Sequence, residues 1–300
     1  MRRALEWALH GTAGACLAIW MAYIPSHSAT SGLEVMLAGT AARPFVYRVL
    51  APMLIRGWNG LTGQGEFIAE LVVFMLSAII LSKATLELAR ALGRGWMAWS
   101  LIMPGWWIIS LTFKHVYDLT TWAVWAVALL CLYRRQWLRF TLAYGLACLS
   151  KETAVLLIPV AGLWMWDYWP RPRLAAVLAM LCLEWGGLRA AVMWLYRDNP
   201  GSIVEWHLAD QVQMIPAILF VVAVLIGIVI LTWPHQPKFL YCVLALFPVL
   251  LGMHLVWGYP GEIRVFGEIY PALALLLINT PAFFLRPAWR PNETPLIPSL

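Results

Sequence analysis

The sequence predicts an all-α protein, a polytopic transmembrane helix bundle of about eight full spans plus one half-helix hairpin at 140–166. Three observations lead there. Hydrophobic residues make up 62% of the 300 residues and charged residues only 12%, about half the charged share usual in soluble domains. The charges are also segregated: Ile215 to Trp233 contains none, close to the ~20 apolar residues that a spanning helix needs. Finally, the run "FTLAYGLACLSKETAVLLIPVAGLWMW" at 140–166 is long enough to cross a bilayer, yet carries Ser150, Lys151, Glu152 and Thr153 near its middle.

Taken in chain order, the apolar runs between charge clusters predict helices at 4–24, 67–89, 95–113, 119–133, 174–195, 212–233, 239–257 and 271–286. Met1-Arg2-Arg3 before an apolar run has the look of a signal peptide. The run of about 20 residues is longer than a signal core, so an uncleaved first helix is the expectation. Residues 1–286 form a single transmembrane domain. Residues 287–300, with four prolines, form a short irregular cytoplasmic tail.

Sidedness follows from Lys and Arg. With the N-terminus cytoplasmic and 140–166 entering and leaving on one side, the cytoplasmic segments hold Arg2, Arg3, Arg90, Arg94, Arg134, Arg135, Arg139, Arg171, Arg173, Lys238, Arg286 and Arg290. These are twelve of the 21 basic residues, the asymmetry of the positive-inside rule. Arg139 before the interrupted run and Arg171 after it both favour the cytoplasm, and a single crossing would leave one set on the wrong side. The run is therefore read as two half-length helices with Ser150–Thr153 at their tip. Irregular backbone at membrane depth is tolerated only inside protein or beside a water-filled cavity, which puts the charged tip in a recess.

The outer loops then collect residues that orientation does not explain: Arg43, Arg48, Arg56, Lys114, Lys151, Arg197 and Arg264. Among them stand Tyr47, His115, Tyr117, Asp118, Glu152, Glu262 and Glu268. Basic groups, carboxylates and tyrosines lining such a recess suit an anionic ligand whose apolar part stays in the bilayer, such as a lipid-linked phosphate. Arginine offers forked donors to phosphate oxygens and lysine a point charge. Each group also has a plainer role. Arg43 and Arg48 can anchor a loop at the headgroups, and Tyr47 can be an interfacial aromatic. Asp118 can pair with Lys114, and Glu262 and Glu268 can neutralise Arg264. Lys151 and Glu152, being adjacent, point apart on a helix and each need another partner. Inside the helix 174–195, Glu184 and Arg189 are five residues apart and too far round the helix to pair. Intramembrane ionisable groups of this kind are functional candidates.

Other classes lack their signatures. The net charge of +6 comes with no basic stripe interleaved with exposed aromatics, so nucleic acid is not expected. The five cysteines lie in apolar spans without CxxC spacing and read as core residues. No His/Cys/carboxylate cluster has metal spacing and no phosphate-binding GxxxxGK[ST] occurs, so neither metal nor cofactor is expected.

With these residues in view, the chain resembles the polytopic glycosyltransferases of the C-type superfamily, which take sugars from polyprenyl-phosphate carriers at the outer face. Protein O-mannosyltransferases and lipid A aminoarabinose transferases belong to it. "YGLACLSKETAVLLIP" is similar to that superfamily's pair of half-depth helices, with Lys151 at its lysine position. The set "YRVLAP", "YDLTTWAVWAVALL", "LSKETAVLLIP" and "EIRVFGEIYP" is similar to a large group of bacterial membrane proteins of that general build. The resemblance implies sugar transfer to an acceptor in a bacterial inner membrane, both termini cytoplasmic and the site facing the periplasm. Arg43, Arg48, Lys151 and Arg264 then hold the phosphate, with Tyr47, Tyr117, Glu152 and Arg189 in the same binding set. Asp118 serves as general base, positioned by Lys114 or His115. The superfamily's acidic residue usually sits in the first outer loop, where this chain offers only Glu34, so Glu262 and Glu268 share the catalytic candidacy. A flippase or transporter of lipid-linked sugar and a non-catalytic membrane subunit are the alternatives. The expected partners are membrane lipids and a polyprenyl-phosphate sugar.

Overall fold

A computed structural model describes residues 8–9, 11–12, 14–19, 32–92, 115–201, 212, 215–232, 236–257 and 266–276. Among these residues every regular element is helical. In chain order they are α1 (Leu33–Ala38), α2 (Leu50–Thr62), α3 (Glu66–Ala91), α4 (Asp118–Tyr133), α5 (Trp137–Ser150), α6 (Leu157–Met165), α7 (Arg171–Leu195), α8 (Ile215–Thr232), α9 (Lys238–Leu244) and α10 (Phe247–Trp257). Short 3-10 turns cover Phe45–Tyr47 and Glu152–Leu156, and 270–276 are helical. Three stretches are long and apolar enough to cross a membrane: Glu66–Ala91, Arg171–Leu195 and Lys238–Trp257. The expected span at 95–113 lies outside the described residues, and those at 4–24 and 271–286 fall only partly within them.

The expected single helix at 239–257 is instead two. Ala245 and Leu246 form a turn between α9 and α10. Pro248 gives the reason: it has no N–H for the Leu244 carbonyl, and its ring crowds that carbonyl four residues back. The α2–α3 corner is also read from local chemistry. Gly63 closes α2 in the left-handed region at φ 66°, where glycine has no Cβ to clash. The Gly65 N–H then donates to Asn59 Oδ1 at 2.9 Å.

α3 and α4 run side by side in the same direction, and two contacts show it. Ser77 and Thr120 share a hydroxyl hydrogen bond at 3.1 Å near one end, while Glu87 meets Arg134 at 2.7 Å at the other. α5 returns against α4, with Thr121 Oγ1 and Ser150 Oγ at 2.6 Å. Trp122, Trp125, Phe140 and Tyr144 are fully buried between these helices.

The chain doubles back at Lys151. That residue leaves the helical region for extended backbone at φ −158°, ψ 147°, and the 3-10 turn re-aims the chain into α6. By the end of α6 it has returned to its starting level, since the Trp137 and Trp169 rings lie 4.3 Å apart. With 14 residues, α5 rises only about 21 Å, so the turn lies within the depth that the longer α3 and α7 span. α7 then climbs beside α5, tied by Tyr144 Oη donating to the Leu181 carbonyl at 3.3 Å.

Charge is sorted along this axis. One end gathers the positively charged turns. Glu87 pairs with Lys83, Arg90 and Arg134, and Lys238 with Asp167. Arg135 lies 3.9 Å over Tyr168, Arg171 3.5 Å over Trp166 and Arg173 4.6 Å over Trp169. Arg90, Arg134, Arg135, Arg171, Arg173 and Lys238 are the described members, beside Arg139, of the twelve that the positive-inside rule groups together. Because Glu87 anchors three cations yet stays partly exposed, Glu87→Gln is expected to destabilise the protein by up to about 1 kcal/mol. Melting at low and high salt checks this, and the loss should shrink as salt screens the pairs.

Candidate functional site

The opposite end of the bundle, around the Ser150–Thr153 tip, holds the charged groups that orientation leaves unexplained. Lys151 sits on extended backbone, so its side chain and that of Glu152 point to opposite sides. Lys151 Nζ donates to Glu268 Oε1 at 2.7 Å, and Thr153 Oγ1 donates to the same oxygen at 3.1 Å. Glu268 is 0% exposed, and its second oxygen, Oε2, has no hydrogen-bond partner.

Glu152 turns the other way, into two guanidinium groups. Arg48 grips it with both arms of its fork, Nε on Oε2 at 3.2 Å and Nη2 on Oε1. Arg189 Nη2 approaches Oε2 at 3.8 Å. Both arginines are held from behind. Arg48 Nη1 donates to Tyr117 Oη, and its guanidinium carbon stands 4.5 Å from the Tyr117 ring centre and 5.2 Å from that of Phe45. Arg189 Nη1 donates to the Tyr47 carbonyl at 3.2 Å, and its guanidinium carbon stands 5.5 Å from the Tyr47 ring centre. Cation–ring contacts of this kind strengthen where water is excluded. The Glu152 backbone is pinned as well, its carbonyl accepting Trp185 Nε1–H at 3.3 Å.

Local sequence explains how these residues arrive. Phe45–Tyr47 form a 3-10 turn after a cis Arg43–Pro44 bond, which delivers Arg48 at the start of α2. Trp185 and Arg189 are four residues apart on α7, hence on one face. Tyr117 immediately precedes α4, and His115 stacks on it at 5.1 Å and 15°.

The structure thus brings together Tyr47, Arg48, Tyr117, Lys151, Glu152, Arg189 and Glu268 of the expected set. Asp118 adjoins them at the head of α4 but is 1% exposed, and its Oδ2 accepts the His115 N–H at 2.7 Å. That bond closes the turn leading into the helix. Arg43 is directed elsewhere, with Nε on the Pro200 carbonyl at 3.3 Å, where it ties the first loop to the one after α7. Lys114, Glu262 and Arg264 lie outside the described residues. Glu184 departs from Arg189 as its spacing requires and lies against α5, its Oε1 2.7 Å from where a Cβ on Gly145 would stand.

Sequence reasoning missed Thr153, Trp185 and Phe45 as members. Trp185 carried a usable signal, its i,i+4 relation to Arg189. Thr153 and Phe45 carried none, because their partners are remote in the chain. Among the described residues no three His, Cys, Asp or Glu side chains converge as metal ligands.

No family model, curated protein or solved structure matches this chain. The chemistry of the site must therefore be read from its own geometry. Among the described residues, Arg48 and Arg189 face Glu152, Lys151 faces Glu268, and Asp118 adjoins them at the head of α4. Glu152 is the accessible carboxylate, its side chain 32% exposed against 9% for each of its arginines. Such an arrangement can hold an anion on preformed guanidinium forks. It also sets a second carboxylate beside a lysine, with one oxygen that has no hydrogen-bond partner.

Proposed function

We propose that this chain is a membrane glycosyltransferase of the C-type build. It would have about eight spans, and it would move a sugar from a polyprenyl-phosphate donor to an acceptor at the face away from its basic end. By the positive-inside rule the basic end and both termini are cytoplasmic, which sets the site toward the cell exterior or, in a bacterial inner membrane, the periplasm. One observation carries the reading: at the tip of a half-depth hairpin two buried guanidinium groups converge on Glu152, while on the other side of the backbone a buried lysine holds Glu268, whose second oxygen has no hydrogen-bond partner.

In this scheme the donor phosphate is held by Arg48 and Arg189, with Lys151 paired to Glu268 beside them, while the polyprenyl chain stays in lipid. The acceptor hydroxyl oxygen attacks the anomeric carbon. The bond from that carbon to the phosphate oxygen breaks, and its electron pair leaves with the polyprenyl phosphate. The hydroxyl proton passes to Glu268 Oε2, which is buried at rest and which the acceptor reaches by opening the recess around it. The cations offset the charge that grows on the leaving phosphate, the kind of preorganised stabilisation that dominates many active sites. Asp118 keeps the α4 turn in place so that Tyr117 can hold Arg48. Lys114, Glu262 and Arg264 stay in the candidate set as flanking charges.

The test is release of polyprenyl phosphate from labelled polyprenyl-phosphate sugars by the protein in liposomes. Arg48→Lys keeps the charge but loses the fork, and is expected to slow turnover about 10²-fold or more. Glu268→Gln is expected to slow it by about 10²–10⁴-fold. Equal turnover by wild type and Arg48→Lys would refute the assignment.

A further inference from the structure

We propose that Glu152 is a stand-in anion: in this resting arrangement its carboxylate fills the seat that a phosphate takes when ligand binds, so the site is self-occluded. The inference deepens the reading of this recess as a lipid-phosphate site and rests on it.

The geometry of the grip carries the proposal. A carboxylate held by both arms of one arginine, with a second arginine on the same oxygen, reproduces the arrangement with which guanidinium groups bind phosphate. The seat does not depend on its occupant. Arg48 stays fixed by Tyr117, and Arg189 by the Tyr47 carbonyl and ring, whether or not Glu152 is present. The backbone under Glu152 is separately anchored, by Trp185 on its carbonyl and by the turn bond from Ala154 N–H to the Lys151 carbonyl at 3.2 Å. Releasing the seat therefore takes only rotation of the Glu152 side chain, which is one-third exposed while its arginines are not. Lys151 and Glu268 stay paired to each other on the far side of the backbone, so the swing leaves that pair intact. A phosphate brings to the two guanidinium groups at least the negative charge that the rotating carboxylate takes away from them.

This makes an unusual demand: removing an acidic residue from the site should tighten binding of an anion. A fold that must first expel its own carboxylate binds with an affinity reduced by the fraction of time the seat is empty, so removing the competitor raises apparent affinity, here by about tenfold or more. The experiment measures binding of polyprenyl phosphate, phosphatidic acid and inorganic phosphate to the full chain in nanodiscs. Wild type is compared with Glu152→Gln, Glu152→Asp and the double variant Arg48→Gln/Glu152→Gln. The expected result is tighter polyprenyl phosphate binding by Glu152→Gln and Glu152→Asp, abolished in the double variant. Aspartate is one methylene too short to span the fork, so it serves as a second, charge-conserving arm. A gain for inorganic phosphate alone supports the seat and makes its ligand a soluble phosphate. A gain for phosphatidic acid equal to that for polyprenyl phosphate supports a general lipid-phosphate seat. Affinity unchanged or weaker in both single variants, or failure of both to fold, makes Glu152 a structural ion pair and overturns the proposal. Sugar transfer by wild type separates the two claims: with transfer present and no gain in binding, only the occlusion fails; with the gain present and no transfer, only the transferase reading fails.

Discussion

Replacing Lys151 by alanine is expected to destabilise the protein by about 3–5 kcal/mol, because it strands the Glu268 carboxylate without a counter-charge in a region closed to water. Glu268 is 0% exposed and Lys151 7%, and after the substitution only the Thr153 hydroxyl remains on Glu268 Oε1. Glu268→Gln should be milder, since its amide oxygen still accepts from both Lys151 and Thr153. The paired change Lys151→Met/Glu268→Met should recover most of the loss. Buried ion pairs replaced as a unit by apolar groups of similar size are often neutral. Thermal melting of the four proteins in one detergent decides the matter. A Lys151→Ala protein as stable as wild type would show that water reaches Glu268 freely.

Gly267→Ala is the second large effect. A Cβ at this position would overlap Trp122 Nε1 and Cε2 and stand 2.7 Å from Cδ1. Those atoms belong to a rigid indole that is itself only 2% exposed, so neither side can yield without moving backbone. The expected loss lies at or above the upper end of the ~1–3 kcal/mol that overpacking usually incurs, and it should displace the neighbouring Glu268 from Lys151. Adding Trp122→Leu opens the space and should restore part of the stability, a non-additivity that only direct contact produces. Gly145→Ala offers the contrast. Its new methyl meets Glu184 Oε1 at 2.7 Å, the far end of a flexible side chain that can rotate away. Melting curves should separate the two glycines clearly.

Much of the framework was legible because it depends on patterns local in the chain. A run without charge from Ile215 to Trp233 predicts a helix with an apolar surface, and Ile215–Thr232 is that helix. The reversal at Lys151 was readable from arginines on either side of 140–166, since both flanks favour one side of a membrane. The rings of Trp137 and Trp169, in contact at 4.3 Å, mark that return. The turn at Ala245–Leu246 was equally local, but the apolar run masked the meaning of Pro248.

Pairing was not legible. Adjacent Lys151 and Glu152 were expected to need separate partners, yet nothing in the sequence distinguishes Glu268, 117 residues away, from any other acidic residue. Asp118 shows the converse. Its Oδ2 accepts the His115 N–H, an arrangement set by turn geometry that residue type alone does not express.

Composition and spacing by themselves determined that this is a helical protein with membrane-length apolar segments, its excess positive charge at one end and a polar tip at depth. These features follow from transfer free energies, which act on each residue according to its own chemistry and its near neighbours. Only the tertiary structure decided which cation meets which carboxylate, that Arg48 and Arg189 converge on Glu152, and that Glu268 keeps an oxygen unclaimed. Those contacts join residues more than a hundred positions apart in some cases, and distance in space is a property of the folded chain that no local pattern encodes.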